Sequence, residues 1–359
     1  MNDRRTPFTG GGLRFLVGAA CLVVIVAGLR AAAPLVLPFL IAVFLAVVSV
    51  PLIGQLQRWR VPRPLAVLGA VLLAVGAIGV LALVVGRSVN DFGAAAPRYQ
   101  ERLQAVLDSG LALGDELGLP IEDWSSLELL PFGSMFDLLG GALGTVASFA
   151  SNAFLVLLTV TFILIEAAGF SGKLREAFGE HVKFGQLEQM MRQVQRYLAI
   201  KLAISAATGV LLGLWVAAFG LDFALLWGLV AFILNFIPTL GSVIAAVPAV
   251  LLAIVQFDLA RAGLIAAGYV GVNVIFGNVV EPLLMGRRLG LSALVVFVSL
   301  VFWGWVWGPI GMLFSVPLTM SIKIALENTS EFRWVAVMLD ANPRSLRTAA
   351  ARRDNPRRG

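Results

Sequence analysis

Residues 202–322 contain one hydrophobic pattern twice, and this duplication constrains the fold more than any other feature. In each copy, an uncharged span of membrane length precedes a longer uncharged stretch, which Gly and Pro interrupt near its middle. The spans are residues 202–221 and 262–280, and the long stretches are residues 223–257 and 289–322. The interruptions read Asn235-Phe-Ile-Pro238-Thr-Leu-Gly241 and Trp303-Gly-Trp-Val-Trp-Gly308-Pro-Ile-Gly311. Such segments are typical of transporters, because broken helices leave backbone N–H and C=O groups free for a substrate.

The composition indicates that most of the chain lies in a membrane. Apolar residues make up 59 % of the sequence and charged residues 13 %, against about 45–50 % and about 25 % in an ordinary soluble domain. The single cysteine, Cys21, excludes an intramolecular disulfide. We therefore predict an all-α polytopic integral membrane protein with a lipid bilayer as its surroundings.

The positions of the basic residues predict the orientation in the membrane. Lys and Arg gather beside the predicted spans and in the C-terminal tail, and such residues mark the cytoplasmic side. This rule puts the N- and C-termini in the cytoplasm, with the chain in the inner membrane of a bacterium. Nucleic-acid binding is not expected, because no aromatic residues lie among the arginines of the tail.

Charge and hydropathy divide the chain into six segments. The membrane segments are residues 1–86 with transmembrane helices 1–3, residues 138–165 with helix 4, and residues 202–322 as the transport core. The polar segments are residues 87–137, residues 166–201 and residues 323–359. The first of these is acidic and is expected outside the cytoplasm, the second is an amphipathic cytoplasmic connector, and the third is a basic cytoplasmic tail.

Two topologies are open for the transport core. If each long stretch folds back at its break, the chain has about six full transmembrane helices plus two broken helical hairpins, which form an inverted repeat. If each stretch crosses once as a bent helix, the chain has eight spans. The hairpin topology puts Arg287 and Arg288 in the cytoplasm, which the charge rule favours, whereas the eight-span topology puts them outside.

The breaks supply the candidate substrate or ion site. Pro238 and Pro282 each remove a backbone donor and so free nearby carbonyls. Asn235 and Asn278 carry amide groups suited to a hydroxylated or carbonyl-bearing solute. Glycines at both breaks permit a tight reversal of the chain. The predicted site consists of Asn235, Pro238, Gly241, Asn278, Glu281, Pro282, Trp303, Gly304, Gly308 and Gly311.

The acidic residues of the core have different expected roles. Glu281, an ionisable group beside a predicted membrane boundary and a helix-breaking Pro, is a candidate proton or cation site. The structural alternative is that Glu281 caps a helix or pairs with Arg287 or Arg288. Asp222 and Asp258 stand at predicted outer ends of spans and are expected to meet water.

The three tryptophans of the second break, Trp303, Trp305 and Trp307, have two possible roles. They either line a substrate path or anchor the chain at headgroup depth, where Trp is common. Because alternate residues do not share one helical face, at least one of them is expected to be an anchor.

The motifs resemble those of the autoinducer-2 exporter-like (AI-2E) transporter family over nearly the whole chain. The resemblance rests on both breaks, on Asn278-Val-Val-Glu281-Pro282 and on Val316-Pro317-Leu-Thr. It implies export of small molecules, with autoinducer-2 as the eponymous case, exchange of sodium or lithium for protons in other members, and homo-oligomers. Three positions depart from the family pattern and weaken any inference about the substrate: Thr239, Ser242 and Ala293.

The predicted function is therefore secondary transport, gradient-driven or facilitative, that exports a small polar solute such as an autoinducer-2-like signal. The alternatives are a Na⁺(Li⁺)/H⁺ antiporter and a membrane scaffold that transports nothing. The sequence has no G-x-x-x-x-G-K-[ST] motif, so a P-loop ATPase is not expected. An enzyme is not expected either, because the one histidine lies in a loop and no aspartate lies within a span. No cofactor or metal is predicted.

Overall fold

A computed structural model describes residues 11–116, 153–178, 184–238, 240–285, 291–327, 329 and 332–340. All regular secondary structure in these ranges is helical, which confirms the all-α fold. The helices are α1 Gly11–Ala31, α2 Ala33–Arg58, α3 Arg63–Glu116, α4 Ala153–Phe178, α5 Phe184–Ala218, α6 Ala224–Leu234, α7 Leu240–Gln256, α8 Leu259–Asn273, α9 Glu281–Met285, α10 Ala293–Glu327 and α11 Arg333–Leu339. A π-helical stretch, Val274–Val280, joins α8 to α9.

Judged by length and composition alone, five helical segments of the described chain are long and apolar enough to cross a membrane. They are Ala33–Arg58, Arg63–Ala95, Met191–Ala218, Leu259–Leu284 and Ala293–Glu327. The first and fourth predicted spans correspond to α1 and α4, whose apolar parts are shorter in the described residues. Residues 138–152 of the fourth predicted span lie outside the described residues. The protein is therefore a polytopic membrane protein.

Two helices continue past the predicted ends of their spans. α3 extends from the third span to Glu116, through the first part of the segment predicted as a separate insertion. α5 joins the predicted amphipathic connector to the fifth span without a break. Charged residues mark where a helix leaves the apolar layer, but they do not end the helix, so these two boundaries between segments fall inside continuous helices.

The first long stretch forms a helical hairpin, which we call hairpin 1 and which consists of α6, the break and α7. Its two open ends are joined, because the backbone N–H of Asp222 donates to Gln256 Oε1 at 3.0 Å and Gln256 Nε2 donates to Gly220 O at 3.1 Å. At the tip, a Cβ on Gly241 would collide with the carbonyl oxygen of Leu234. Only glycine allows the two arms to approach this closely.

The second long stretch forms hairpin 2, because α10 reverses at Gly308. Gly308 has φ 66° and ψ −150°, a conformation that is open essentially to glycine alone. Ser299 Oγ donates to Ser315 O at 2.9 Å and Trp303 Nε1 donates to Thr319 Oγ1 at 3.1 Å. In a straight helix, residues this far apart in sequence would be separated by about 24 Å. The structure therefore has the two hairpins and not the single bent crossings of the eight-span alternative.

The hairpins enter the helical bundle from opposite ends. Hairpin 1 begins just after α5 ends, and its tip returns to Ser205 in the middle of α5. Met320, near the open end of hairpin 2, packs with Tyr197, which precedes Ser205 on α5. Trp307, at the tip of hairpin 2, packs against the first turns of α2. This opposite direction agrees with the inverted repeat predicted from the sequence.

The extension of α3 beyond its membrane span holds the open end of hairpin 1. Tyr99 is buried, and its hydroxyl donates to Asp222 Oδ2 at 2.6 Å. Burial and the hydrogen bond to the Asp222 carboxylate raise the pKa of the Tyr99 phenol. Arg102 donates to Gln256 O at 3.4 Å. The expectation that Asp222 only meets water was wrong, whereas Asp258 caps α8 by accepting from the N–H of Arg261 at 2.7 Å.

Glycines let α5 and α6 pack with their backbones in close approach. A Cβ added to Gly209 would lie 2.6 Å from Gly228 O and 2.7 Å from Phe232 Cβ. Small residues at helix contacts are typical of membrane proteins, where dispersion between closely packed helices replaces the hydrophobic effect.

We predict that Gly209→Ala destabilises the protein, because α6 must move to admit the methyl group. Overpacking of this kind costs about 1–3 kcal/mol, which exceeds the gain of up to about 1 kcal/mol from helix propensity. The control is Gly263→Ala, since a Cβ on Gly263 has no neighbour within 4 Å. Melting of the purified protein in detergent measures the difference, and equal melting temperatures for the two variants would contradict the close contact.

We predict that Tyr99→Phe lowers the melting temperature, because Asp222 loses a hydrogen-bond donor. A hydrogen bond to a charged group contributes about 1.5–3 kcal/mol. Tyr269→Phe is the matched control, because the Tyr269 hydroxyl is buried and has no hydrogen-bond partner among the described residues. The control should melt at the wild-type temperature or above it. A larger loss in the control than in Tyr99→Phe would refute this account.

Candidate transport site

One buried stripe on α5 changes from apolar to polar along the helix. The stripe consists of five buried residues at spacings of three or four, which therefore share one face of the helix. From the apolar to the polar end they are Val216, Leu212, Thr208, Ser205 and Lys201. The apolar half packs in the same core as Trp227 of hairpin 1. The polar half lies inside a span that is apolar enough to cross a membrane, and buried polar groups there require partners.

Lys201 forms a buried ion pair with Glu281. Its Nζ atom lies 3.0 Å from Oε1 and 2.9 Å from Oε2 of that carboxylate. The Lys201 side chain is 3 % exposed and the Glu281 side chain 24 %. Glu281 therefore pairs with a residue of α5, a partner that was not predicted from the sequence. Arg287 and Arg288, the partners considered there, lie outside the described residues.

The π-helical stretch explains how Glu281 comes to face α5. Pro282 has no N–H, and in a regular α-helix its ring would clash with the carbonyl of Asn278, four residues earlier. The wider π turn of Val274–Val280 ends two residues before this proline. A wide turn rotates the residues that follow it relative to an α-helix, and here Glu281 is the first of them. The side chains of Asn278 and Pro282 themselves are exposed.

The tip of hairpin 1 contacts the next turn of α5. Asn235 Nδ2 donates to Ser205 Oγ at 3.0 Å. Within the break, Leu240 N donates to Pro238 O at 2.6 Å and Gly241 N donates to Ile237 O at 3.2 Å. The predicted site residues Asn235 and Glu281 are thus brought to neighbouring turns of one helix, about 6 Å apart along its axis.

The tip of hairpin 2 has different neighbours. Trp303 and Trp307 are buried, and Trp307 Nε1 donates to Leu29 O at 3.0 Å, so both rings have packing roles. Trp305 is exposed, with the guanidinium of Arg30 4.9 Å from its ring centre, as expected of an interfacial anchor. Gly308 makes the reversal described above. Gly304 lies against Met312, and Gly311 against the carbonyl of Trp303.

The predicted site residues therefore fall into two groups, one near each hairpin. The ring of Phe44 on α2 lies between the hairpins. It lies 6.0 Å from Phe236 at the tip of hairpin 1 and 5.3 Å from Phe314 on the second arm of hairpin 2, edge-on to both. Asn235 and Glu281 contact α5, whereas Trp303, Gly304, Gly308 and Gly311 lie near α1 and α2. That both tips contribute to one binding site stays a prediction.

Sequence reasoning missed three residues of this region: Lys201, Ser205 and Thr208. Their spacing of i, i+4 and i+7 would have revealed a polar stripe within an apolar span. The predicted span began one residue after Lys201, which assigned that lysine to the connector. In the described part of the chain, no group of three or more His, Cys, Asp and Glu side chains could hold a metal ion.

Comparison with known proteins shows the family of the chain. The sequence model for the AI-2E family transporter matches residues 19–331. The AI-2 transport protein TqsA of Escherichia coli (strain K12) is 39 % identical over 332 residues, which cover 92 % of this chain and 96 % of the relative. The putative transport protein YhhT of the same strain is 33 % identical over 329 residues, 91 % of this chain and 94 % of the relative.

A putative transport protein of Haemophilus influenzae is 34 % identical over 333 residues, covering 91 % of this chain and 96 % of the relative. These matches span the membrane helices and both hairpins. The chain belongs to the AI-2E transporter family and is a multi-pass membrane transport protein.

Proposed function

We propose that the protein is a secondary transporter that exports a small polar solute through the region where hairpin 1 meets α5. The observation that carries this proposal is the pair of polar contacts on neighbouring turns of α5, Lys201 with Glu281 and Ser205 with Asn235. Ionisable groups inside a membrane are costly and are typically functional. Here they lie beside the tip of a broken hairpin, where transporters place their substrates.

The opposite entry of the two hairpins supports alternating access. With both termini in the cytoplasm, the Lys201 end of α5 is the cytoplasmic end, hairpin 1 enters from outside and hairpin 2 enters from the cytoplasm. A site next to one hairpin tip then becomes open to one side or the other as the hairpins shift relative to α5. The sequence has no P-loop motif, which fits a gradient-driven or facilitative process in the inner membrane of a bacterium.

An autoinducer-2-like signal is the proposed solute. One relative is named an AI-2 transport protein, and the amide of Asn235 with the hydroxyl of Ser205 suits hydroxyl and carbonyl groups. We further propose that the protein works as a homo-oligomer, since large apolar side chains on several helices are exposed in the single chain. Lipid is the other expected neighbour of these side chains.

A Na⁺(Li⁺)/H⁺ antiporter is the second candidate function. The observation in its favour is the Glu281 carboxylate, which is held by Lys201 and partly exposed, so a proton or a cation competes with the lysine for it. A scaffold without transport would leave solute flux unchanged when Asn235, Glu281 or Gly308 is replaced.

We predict that Glu281→Gln lowers solute efflux from proteoliposomes at least tenfold and changes its pH dependence. The variant also leaves the Lys201 charge buried without its partner, which costs about 3–5 kcal/mol of stability. The double variant Lys201→Met with Glu281→Gln removes both charges and should recover the melting temperature but not transport. Glu101→Gln, on the exposed extension of α3, is the control and should behave as wild type.

The same vesicles separate the candidate functions. Efflux of autoinducer-2 and of Na⁺ is compared under an imposed pH gradient. Efflux of the signal without sodium flux supports the exporter, and sodium flux driven by the gradient supports the antiporter. If the double variant recovers transport together with stability, the ion pair is structural and the proposed site is wrong.

A further inference from the structure

The hydroxyl of Thr208 is buried inside the membrane span of α5 and has no hydrogen-bond partner among the described residues. The residue is 3 % exposed. Hydroxyls in apolar helices ordinarily bond back to the carbonyl four residues earlier. The hydroxyls of Ser49, Thr159, Thr161 and Ser321 do so in this protein. The Thr208 hydroxyl therefore departs from the arrangement of comparable groups in the same molecule.

An unpaired hydroxyl in this environment destabilises the fold. The described part of the chain supplies no hydrogen bond in place of the one that the group makes in water, and valine has nearly the same shape without that cost. Tyr269 has the other buried hydroxyl without a partner in the described chain, but it packs in an apolar cluster with Trp227 and Ile265. Thr208 instead lies in the polar half of the α5 stripe.

The position of Thr208 relates it to the proposed transport site. It follows Ser205 by three residues and Lys201 by seven, so the three side chains lie on one face of α5. Ser205 accepts from Asn235 at the tip of hairpin 1, and Lys201 binds Glu281. The next residue, Gly209, lies against the backbone of α6. Thr208 is thus one turn of α5 away from the contact with the hairpin tip, toward the open end of hairpin 1 and on the same face as Ser205.

We propose that Thr208 Oγ1 is a ligand of the transported solute. This inference rests on the proposed function and deepens it. Lys201 and Glu281 neutralise each other, so Ser205, Thr208 and Asn235 provide the uncharged donors and acceptors. The contact of α5 with α6 at Gly209 leaves no gap through which a solute could pass. The solute therefore reaches Thr208 when the tip of hairpin 1 moves off Ser205.

The test replaces the hydroxyl by a methyl group with Thr208→Val. Efflux of autoinducer-2 from proteoliposomes, and of an analogue that lacks one hydroxyl, is measured beside melting of the protein in detergent. We expect the KM for autoinducer-2 to rise about 3- to 10-fold, the weight of one neutral hydrogen bond. The KM for the analogue should rise less, and the melting temperature should stay the same or rise. Thr208→Ser should retain the wild-type KM.

The control variant is Thr159→Val, which removes a hydroxyl that bonds to Leu155 O on α4, away from the site. It should leave the KM unchanged. If Thr208→Val lowers the melting temperature and transport together, the hydroxyl is structural and the inference is overturned. If wild type transports autoinducer-2 and Thr208→Val matches it in KM, the inference fails while the proposed exporter stands. If wild type moves neither molecule, the proposed export of this solute and the inference fall together.

Discussion

The architecture depends on one constraint: a helix that reverses inside a bilayer must satisfy its backbone polar groups without water. In hairpin 1, backbone hydrogen bonds join Ile237 N to Leu234 O at 2.8 Å and Gly241 N to Ile237 O at 3.2 Å, and in both hairpins glycine brings the arms into contact. Gly241 lies against the carbonyl of Leu234 and Gly311 against that of Trp303, so the second arm of each hairpin packs directly on the end of the first. Serine, threonine and tryptophan side chains then bridge the arms of hairpin 2. The breaks are thus compact, and the bundle holds two short hairpins where straight helices would cross.

The ion pair between Lys201 and Glu281 also depends on an irregular stretch of backbone. The regular helix α8 ends at Asn273, and the wide π turn between it and α9 gives Glu281 a different direction from the one that an unbroken α-helix would give. Lys201 meets it because α5 continues, without a break, from its amphipathic part into the apolar layer. Two features of backbone geometry, one irregular and one uninterrupted, therefore bring opposite charges together between segments that are far apart in sequence.

The two hairpins could be predicted from the sequence, whereas the tertiary contacts of the candidate site could not. Gly and Pro act locally, so the breaks at Pro238 and Gly308 follow from their own sequences. The positions of the basic residues predicted the opposite directions of the two hairpins. The partner of Glu281 could not be predicted, because it depends on a π turn and on the packing of α5 against α8. The length of α3 was missed for another reason: charged residues indicate water around a helix, not its end. The separate roles of Trp305 and its neighbours could not be predicted, because they depend on where α1 and α2 lie.

The ring of Phe44 on α2 contacts both hairpins. It touches Phe236 on one side and Phe314 on the other, and protein interiors are packed too densely for either neighbour to withdraw and leave a void. A shift of one hairpin must therefore be followed by rotation of this ring or by a shift of the other hairpin. A single side chain of α2 therefore connects the two hairpins, although their tips contact different helices.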